Sequence, residues 1–305
     1  MFDRRMARAT EAVTCAWCGG NLNGRARREP GRIACGRCGV ATTSPWPTAE
    51  ELDAAYGTWY RPETGRFSGI GDKVFALLRG GFSRRLTKLA PSGRILDVGA
   101  GDGSLVDSLR AKGRDAVGLD PYSRRDDFVK EPIDEVEGQW GAVVFWHSLE
   151  HVPTPVRHLT EAARLLAPGG VLVVAVPNPS SLQAKLFGSR WLHLDPPRHL
   201  VHVPPEPLRK TLRSLGLEVT RTSYYRGGNV VFGWLHGLVG SVVPGLDLYD
   251  AIRKPEARSK PMTGARRMLA LVLGVLLLPV AAAASAFEVA VRRGGTIYVE
   301  ARRPR

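Results

Sequence analysis

Ile95-Leu-Asp-Val-Gly-Ala-Gly-Asp-Gly-Ser104 dictates more of the fold than any other stretch of this 305-residue chain. A short apolar run meets three alternate glycines and then a helical pattern. That is a strand turning sharply into a helix with its backbone open to close approach by a ligand. The first N–H groups of such a helix suit a carboxylate. Dinucleotide loops follow G-x-G-x-x-G, and here Ser104 stands where the third glycine would be. The pattern is instead Asp97-x-Gly99-x-Gly101-x-Gly103, with Asp120 closing the next apolar run 21 residues after Gly99. An acidic side chain at that strand end accepts both hydroxyls of a ribose.

From about residue 70 helical patterns alternate with short apolar runs, the rhythm of a parallel sheet covered by helices on both faces. The spacing predicts helices over 72–89, 104–112, 156–166 and 206–215. It predicts strands over 94–98, 116–119, 142–146, 171–176 and 217–224, with Pro168-Gly169-Gly170 as the turn before the fourth of these. Internal repeats are absent. With 44% hydrophobic and 24% charged residues the chain has a globular composition, which excludes wholesale disorder and a polytopic membrane protein.

All four cysteines fall early, as Cys15-Ala-Trp-Cys18 and Cys35-Gly-Arg-Cys38. Two C-x-x-C pairs at this separation have the spacing of a zinc ribbon, and the neighbouring Gly19, Gly20, Gly36 and Gly39 permit the tight turns that aim two sulfurs at one ion. Two disulfides are disfavoured in a reducing cytosol, and a redox pair is disfavoured because no βαβ pattern surrounds either motif. Four protein ligands leave no open coordination position, so the Zn2+ is expected to be structural. Thr43-Ser-Pro-Trp-Pro-Thr-Ala-Glu-Glu-Leu52 then leads into a short capped helix, with Thr48 three residues before Glu51.

Residues 70–225 resemble class I S-adenosylmethionine-dependent methyltransferases. The loop, the strand-end Asp120, Trp146-His-Ser-Leu-Glu-His-Val-Pro-Thr-Pro155 and Trp191-Leu-His-Leu-Asp-Pro-Pro-Arg-His-Leu-Val-His202 carry the resemblance, the last two being similar to segments of bacterial glycan and secondary-metabolite methyltransferases. It implies an α/β fold with a doubly wound, mostly parallel seven-stranded sheet, whose antiparallel seventh strand fits Gly294–Ala301. It implies that Gly99, Ala100 and Gly101 cradle the methionine part of S-adenosylmethionine, that Asp97 lies beneath it and that Asp120 holds the ribose. Adenine contacts are expected near Pro132 and Ile133. Only 20 residues separate Asp120 from Gly141, so the helix and strand that normally frame the adenine are abbreviated. The expected organisation is a four-cysteine zinc ribbon over 1–47, a methyltransferase core over 48–226, an apolar helical insertion between the sixth and seventh strands over 227–291, and the final strand with a basic tail over 292–305.

Methyl transfer from a sulfonium is an in-line displacement, so the protein must chiefly align a nucleophile and exclude water. A hydroxyl nucleophile must also lose its proton, and histidine is the usual acceptor at neutral pH. Six of the seven histidines lie between residues 147 and 202. Of these, His151 and His199 are the candidate bases, with Glu150 or Asp195 orienting one of them, while His158 is expected on a helix surface.

Gly227–Leu246 and Leu269–Phe287 are uncharged. A single membrane crossing is ruled out because the strands on either side share one sheet. Two crossings would put the cation-rich loop on the outside, against the positive-inside rule. Helices lying in the interface on anionic headgroups fit better, the alternative being a buried cap over the acceptor site. The net charge of +14 lies at the two ends: residues 1–47 hold eight basic and three acidic residues, and 253–305 hold eleven and three. The nearly neutral core points to a small-molecule or lipid-linked glycan acceptor. Nucleic acid, through an RNA methyltransferase using the ribbon and basic ends, is the second reading, and a non-catalytic binding protein the third. Met1–Thr14 lacks the apolar segment of a signal peptide, so a cytoplasmic protein, peripheral on the inner face of the membrane, is expected.

Overall fold

The computed structural model describes residues 12–23, 26–57, 81–225 and 228–305. Part of the helix expected over 72–89 lies outside them. Three short strands, β1 (Arg27–Glu29), β2 (Arg32–Ala34) and β3 (Ala41–Thr43), form an antiparallel sheet beside the cysteine turns. Helix α1 (Ala49–Ala55) follows. Thr48 accepts from the Glu51 amide at 3.1 Å while Glu51 accepts from the Thr48 amide at 2.9 Å, so the expected cap satisfies two otherwise orphaned donors.

Helix α2 (81–89) leads into β4 (Ile95–Val98), and α3 (Ser104–Arg110) into β5 (Ala116–Leu119). Then come β6 (Trp140–Trp146), α4 (Pro155–Leu165), β7 (Leu166–Pro177) and α5 (Leu182–Phe187). Strand β8 (Val201–His202), α6 (Pro205–Ser214) and β9 (Glu218–Ser223) follow. Helices α7 (Gly228–Val242), α8 (Leu248–Ile252) and α9 (Gly264–Ala290) precede β10 (Thr296–Arg302).

The main sheet runs β5-β4-β6-β7-β10-β9, with β4 to β7 parallel and β10 antiparallel between β7 and β9. Its central strands are apolar on both faces, as helix-covered parallel strands must be: every residue of β4 and all but the last of β6 are buried. Among the described residues this sheet has six strands, where the family resemblance implies seven. The chain after Asp120 is too short for another strand and leaves one parallel bridge, Leu119 to Val129. The Pro168-Gly169-Gly170 turn lies inside β7, which begins at Leu166, and is accommodated by an irregular register opposite Trp140 and Ala142. Arg85 of α2 donates through Nε and Nη2 to the Glu300 carboxylate of β10 at 2.5 and 2.7 Å, tying a helix to the last strand.

The cysteine-rich module is joined to this core. β3 pairs with β8, Ala41 opposite His202 and Thr42 opposite Val201, and Trp17 donates to Thr211 of α6 at 3.2 Å. Between β9 and β10, α7 and α9 pack together and against α5. Small residues on α7 permit that approach: a β-carbon on Gly237 would lie 2.3 Å from the Phe187 ring, and one on Gly233 would lie 2.1 Å from Gln183 Oε1. Gly237→Val is therefore expected to lower stability by about 2 kcal/mol, the usual cost of overpacking. Urea unfolding of the variant, against a control change at exposed Val275, measures it.

Candidate active site

The loop after β4 is held by the neighbouring strand, with Gly99 and Ala100 N–H groups donating to the Leu119 carbonyl at 2.7 and 3.4 Å. Gly99, Gly101 and Gly103 have φ of 76°, 60° and 79°, a left-handed backbone that glycine adopts without strain. Asp120 is buried, and its carboxylate accepts from the Gly101 and Tyr122 amides, both at 2.9 Å. Asp102 takes the Ser104 amide at the start of α3 at 3.1 Å. Asp97 is 3% exposed, and its Oδ1 has no hydrogen-bond partner among the described residues. Burial, with Asp120 and Asp102 nearby, pushes the Asp97 carboxyl up to about 7. A buried carboxylate short of a partner beside two others fits the cationic ammonium and sulfonium of S-adenosylmethionine. Pro132 is exposed, and Ile133 opens a short 3-10 turn with its side chain in the hydrophobic core alongside Val136 and Trp140.

Immediately beyond β6 the chain is pressed onto this loop. Ser148 donates to the Val98 carbonyl at 2.5 Å, and a β-carbon on Gly99 would lie 2.5 Å from Ser148 Cβ. His147 has a φ of 52°, an uncommon conformation for a residue with a side chain, and starts a tight turn that delivers Glu150 and His151. Asp195, with a φ of 40°, bends the segment after α5 so that His199 faces the same place.

The four candidate catalytic residues converge. Glu150 is 2% exposed and neither of its oxygens makes a hydrogen bond among the described residues. His147 Nδ1 stands 3.5 Å and His199 Nε2 4.0 Å from Glu150 Oε1, and His199 Nε2 is 3.5 Å from Asp195 Oδ2. Arg198 forks onto Asp195 through Nε, at 3.0 Å, and Nη2. His151 Nδ1 lies 3.0 Å from the Arg198 carbonyl, and His199 Nδ1 lies 2.9 Å from the His193 carbonyl. A carbonyl only accepts, so the ring nitrogen facing it donates where that bond is made; His151 Nδ1 also faces the Tyr56 hydroxyl at 2.8 Å. Burial, reinforced by His199, brings His151 down to about 4, so its ring is neutral at pH 7. Burial also opposes ionisation of Glu150, but His147 beside it, then His151 and His199, outweigh burial and hold the carboxyl well below its usual range. His158 lies on α4, away from this group, with its Nδ1 3.0 Å from the Thr154 carbonyl.

One participant carries no signal in the sequence. Tyr56, ending α1, places its hydroxyl 2.8 Å from His151 Nδ1 across 95 residues of sequence, a separation that leaves no local signal. His147 was visible as the i−3 neighbour of Glu150 on one turn.

Cys15, Cys18, Cys35 and Cys38 also converge, with all four sulfurs within 4.8 Å of one another. Cys15 and Cys38 sulfurs are 3.6 Å apart, and those of Cys18 and Cys35 3.8 Å. Tetrahedral coordination at the usual zinc–sulfur distance separates sulfurs by about 3.8 Å.

Residues 71–222 match the methyltransferase-domain family. The chain belongs to this family and is an S-adenosylmethionine-dependent methyltransferase. A ubiquinone biosynthesis O-methyltransferase of Roseobacter denitrificans is 26% identical over 200 residues, covering 55% of this chain and 80% of that protein. The enzyme of the same name from a Ruegeria species is 26% identical over 226 residues, covering 64% and 91%. A crystal structure of a methyltransferase from Archaeoglobus fulgidus overlaps with a TM-score of 0.46 at 17% identity, covering 74% of this chain and 93% of that one.

With its carboxyl pushed up to about 7, Asp97 is expected to make S-adenosylmethionine affinity depend on pH. Because this acid's folded pKa is raised, its charge, and its attraction for a cation, develop as pH rises through about 7. S-Adenosylmethionine affinity measured by calorimetry is expected to strengthen between pH 6 and 8. Asp97→Asn should weaken it about tenfold at pH 8 and flatten the dependence, roughly 1.4 kcal/mol of lost attraction.

Proposed function

We propose that this enzyme methylates a hydroxyl of a sugar, a lipid-linked glycan or a secondary metabolite, working peripherally on the cytoplasmic face of an anionic membrane. The observation that carries the reading is the largely buried Glu150–His151–His199 cluster, in which only His151 is partly exposed, set against the cofactor loop through Ser148 and Gly99. S-Adenosylmethionine supplies a methyl already activated on a sulfonium, so little besides alignment and proton removal is asked of the protein. As the oxygen–methyl bond forms, the sulfur–methyl bond breaks with its electron pair retained by sulfur, and the hydroxyl proton must depart. Asp97, Gly99, Ala100, Gly101 and Asp120 hold the cofactor in this reading. Glu150, His151, His199 and Asp195 receive the hydroxyl, with removal of its proton depending on His151. That the named relatives are O-methyltransferases supports an oxygen acceptor.

The apolar helices support the location. On α9, Ala270, Gly274, Ala281, Ser285 and Glu288 face the protein, while Leu269, Val272, Val275, Leu276, Val280 and Phe287 face outward and exposed. A helix that turns small residues inward and large aliphatic ones outward is inverted relative to a helix designed for water. Arg266 and Arg267 flank one end and Arg292 and Arg293 the other, well placed for anionic headgroups. β9 and β10 pair within one sheet, so both ends of the insertion leave from the same side. The four cysteines, in our reading, hold a structural Zn2+ that makes residues 1–47 a ribbon anchored to the core.

His151→Gln is expected to lower turnover at least tenfold with S-adenosylmethionine affinity unchanged. Unchanged turnover would remove His151 from the reaction. Sedimentation with vesicles containing anionic lipid should capture the protein, and Val275→Asp with Leu276→Asp should release it. Equal partition of wild type and variant would refute the membrane-facing role of α9.

A further inference from the structure

The Glu150 carboxylate is the least explained group in the molecule. It is 2% exposed, and among the described residues neither of its oxygens makes a hydrogen bond, although a carboxyl group is costly to bury without partners. Its surroundings are donors of a particular kind. One oxygen of Glu150, one ring nitrogen of His151 and one of His199 all lie within 4.8 Å of one another. Each imidazole is turned by a backbone carbonyl on its far side: Arg198 O for His151 at 3.0 Å and His193 O for His199 at 2.9 Å. With Nδ1 of each ring turned to a carbonyl, Nε2 is the ring atom free to meet a cation when it carries no proton. This is the outer-shell arrangement that orients metal-ligating histidines.

We propose that Glu150, His151 and His199 form a site for a divalent first-row cation, separate from the four-cysteine cluster, and that the acceptor hydroxyl binds to that cation. Two imidazoles and one carboxylate are a borderline-hard set that suits manganese, iron(II), cobalt or zinc. Three protein donors leave coordination positions for substrate oxygen, unlike the closed cysteine site. Donors at about 2.1 Å from a common ion stand roughly 3 to 4 Å apart, so a small closure of the two rings onto the carboxylate completes the geometry. The partly exposed His151 leaves one side open to an acceptor. An acceptor hydroxyl on the ion becomes more acidic and releases its proton to water before its oxygen attacks the methyl carbon. A hydroxyl with a second oxygen on the adjacent carbon fills two neighbouring positions and is the favoured acceptor class. The role in catalysis rests on the O-methylation reading above; the cation site itself does not.

Manganese(II) is the probe, because thiolate sites bind it poorly and its free aqueous ion has a sharp paramagnetic resonance signal. Titrating the full chain is expected to quench the signal of one equivalent of manganese. Glu150→Gln and His199→Gln should each weaken binding at least tenfold while circular dichroism and the thermal midpoint are retained. An unquenched signal for wild type at millimolar protein would overturn the proposal, as would equal binding by folded variants. Wild type is its own test should either variant fail to fold. Methyl transfer to hydroxyl acceptors with no manganese binding would overturn the cation site and leave the O-methylation reading standing. Binding with no transfer to any hydroxyl would do the reverse.

Discussion

The seam between the cysteine module and the segment carrying His199 is the contact on which the acceptor side of the molecule depends. Thr43 of β3 donates its amide to the Leu200 carbonyl at 2.9 Å and its hydroxyl to the His199 carbonyl at 2.5 Å. Leu200 in turn donates its amide to the Glu150 carbonyl at 2.8 Å. One line of backbone bonds therefore runs from the cysteine turns, through β3, to both halves of the polar cluster. Residues 12–43 supply few apolar side chains, and cross-linking four sulfurs through one ion would give β3 the rigidity to hold that line. The bonds of β3 thus tie the cysteine module to the segment that carries His199.

The cofactor side depends on a different constraint, the closeness of two loops. Gly99 has no room for a β-carbon because Ser148 lies against it, so the turn after β4 and the turn after β6 are packed in direct contact. A second buried carboxylate performs a comparable task for the apolar helices. Glu288 of α9 accepts from the Gln183 amide at 2.8 Å, from Gln183 Nε2 at 3.0 Å and from Trp234 Nε1 at 2.9 Å. With every donor neutral, Glu288 is satisfied by hydrogen bonds alone, and it locks α5, α7 and α9 together beside β7. The insertion is in this way fastened to α5, the helix that follows β7.

Much of this was legible in the sequence because the signals are local. The glycine spacing, the apolar runs of β4 to β7 and the Thr48–Glu51 cap are each written within a few residues, and the structure places those elements within a few residues of expectation. The missing strand was partly legible too, since 20 residues between Asp120 and Gly141 leave little chain to build one. What sequence could not supply was convergence across distance. Tyr56 reaches His151, and Thr43 reaches His199, over sequence separations of 95 and 156. Nor could it readily show which face of α9 is covered, because over 269–284 both faces are apolar and differ mainly in side-chain size.

Hydroxyl methylation is the central claim, and the fate of a labelled methyl tests it most directly. The enzyme and S-adenosylmethionine carrying labelled methyl would be added to a fractionated bacterial extract, and label counted in lipid, small-metabolite, polysaccharide and nucleic-acid fractions. Label in lipid or metabolite fractions that survives mild alkali, as an ether does and an ester does not, is the predicted result. Label confined to RNA, or lost to mild alkali, would contradict it.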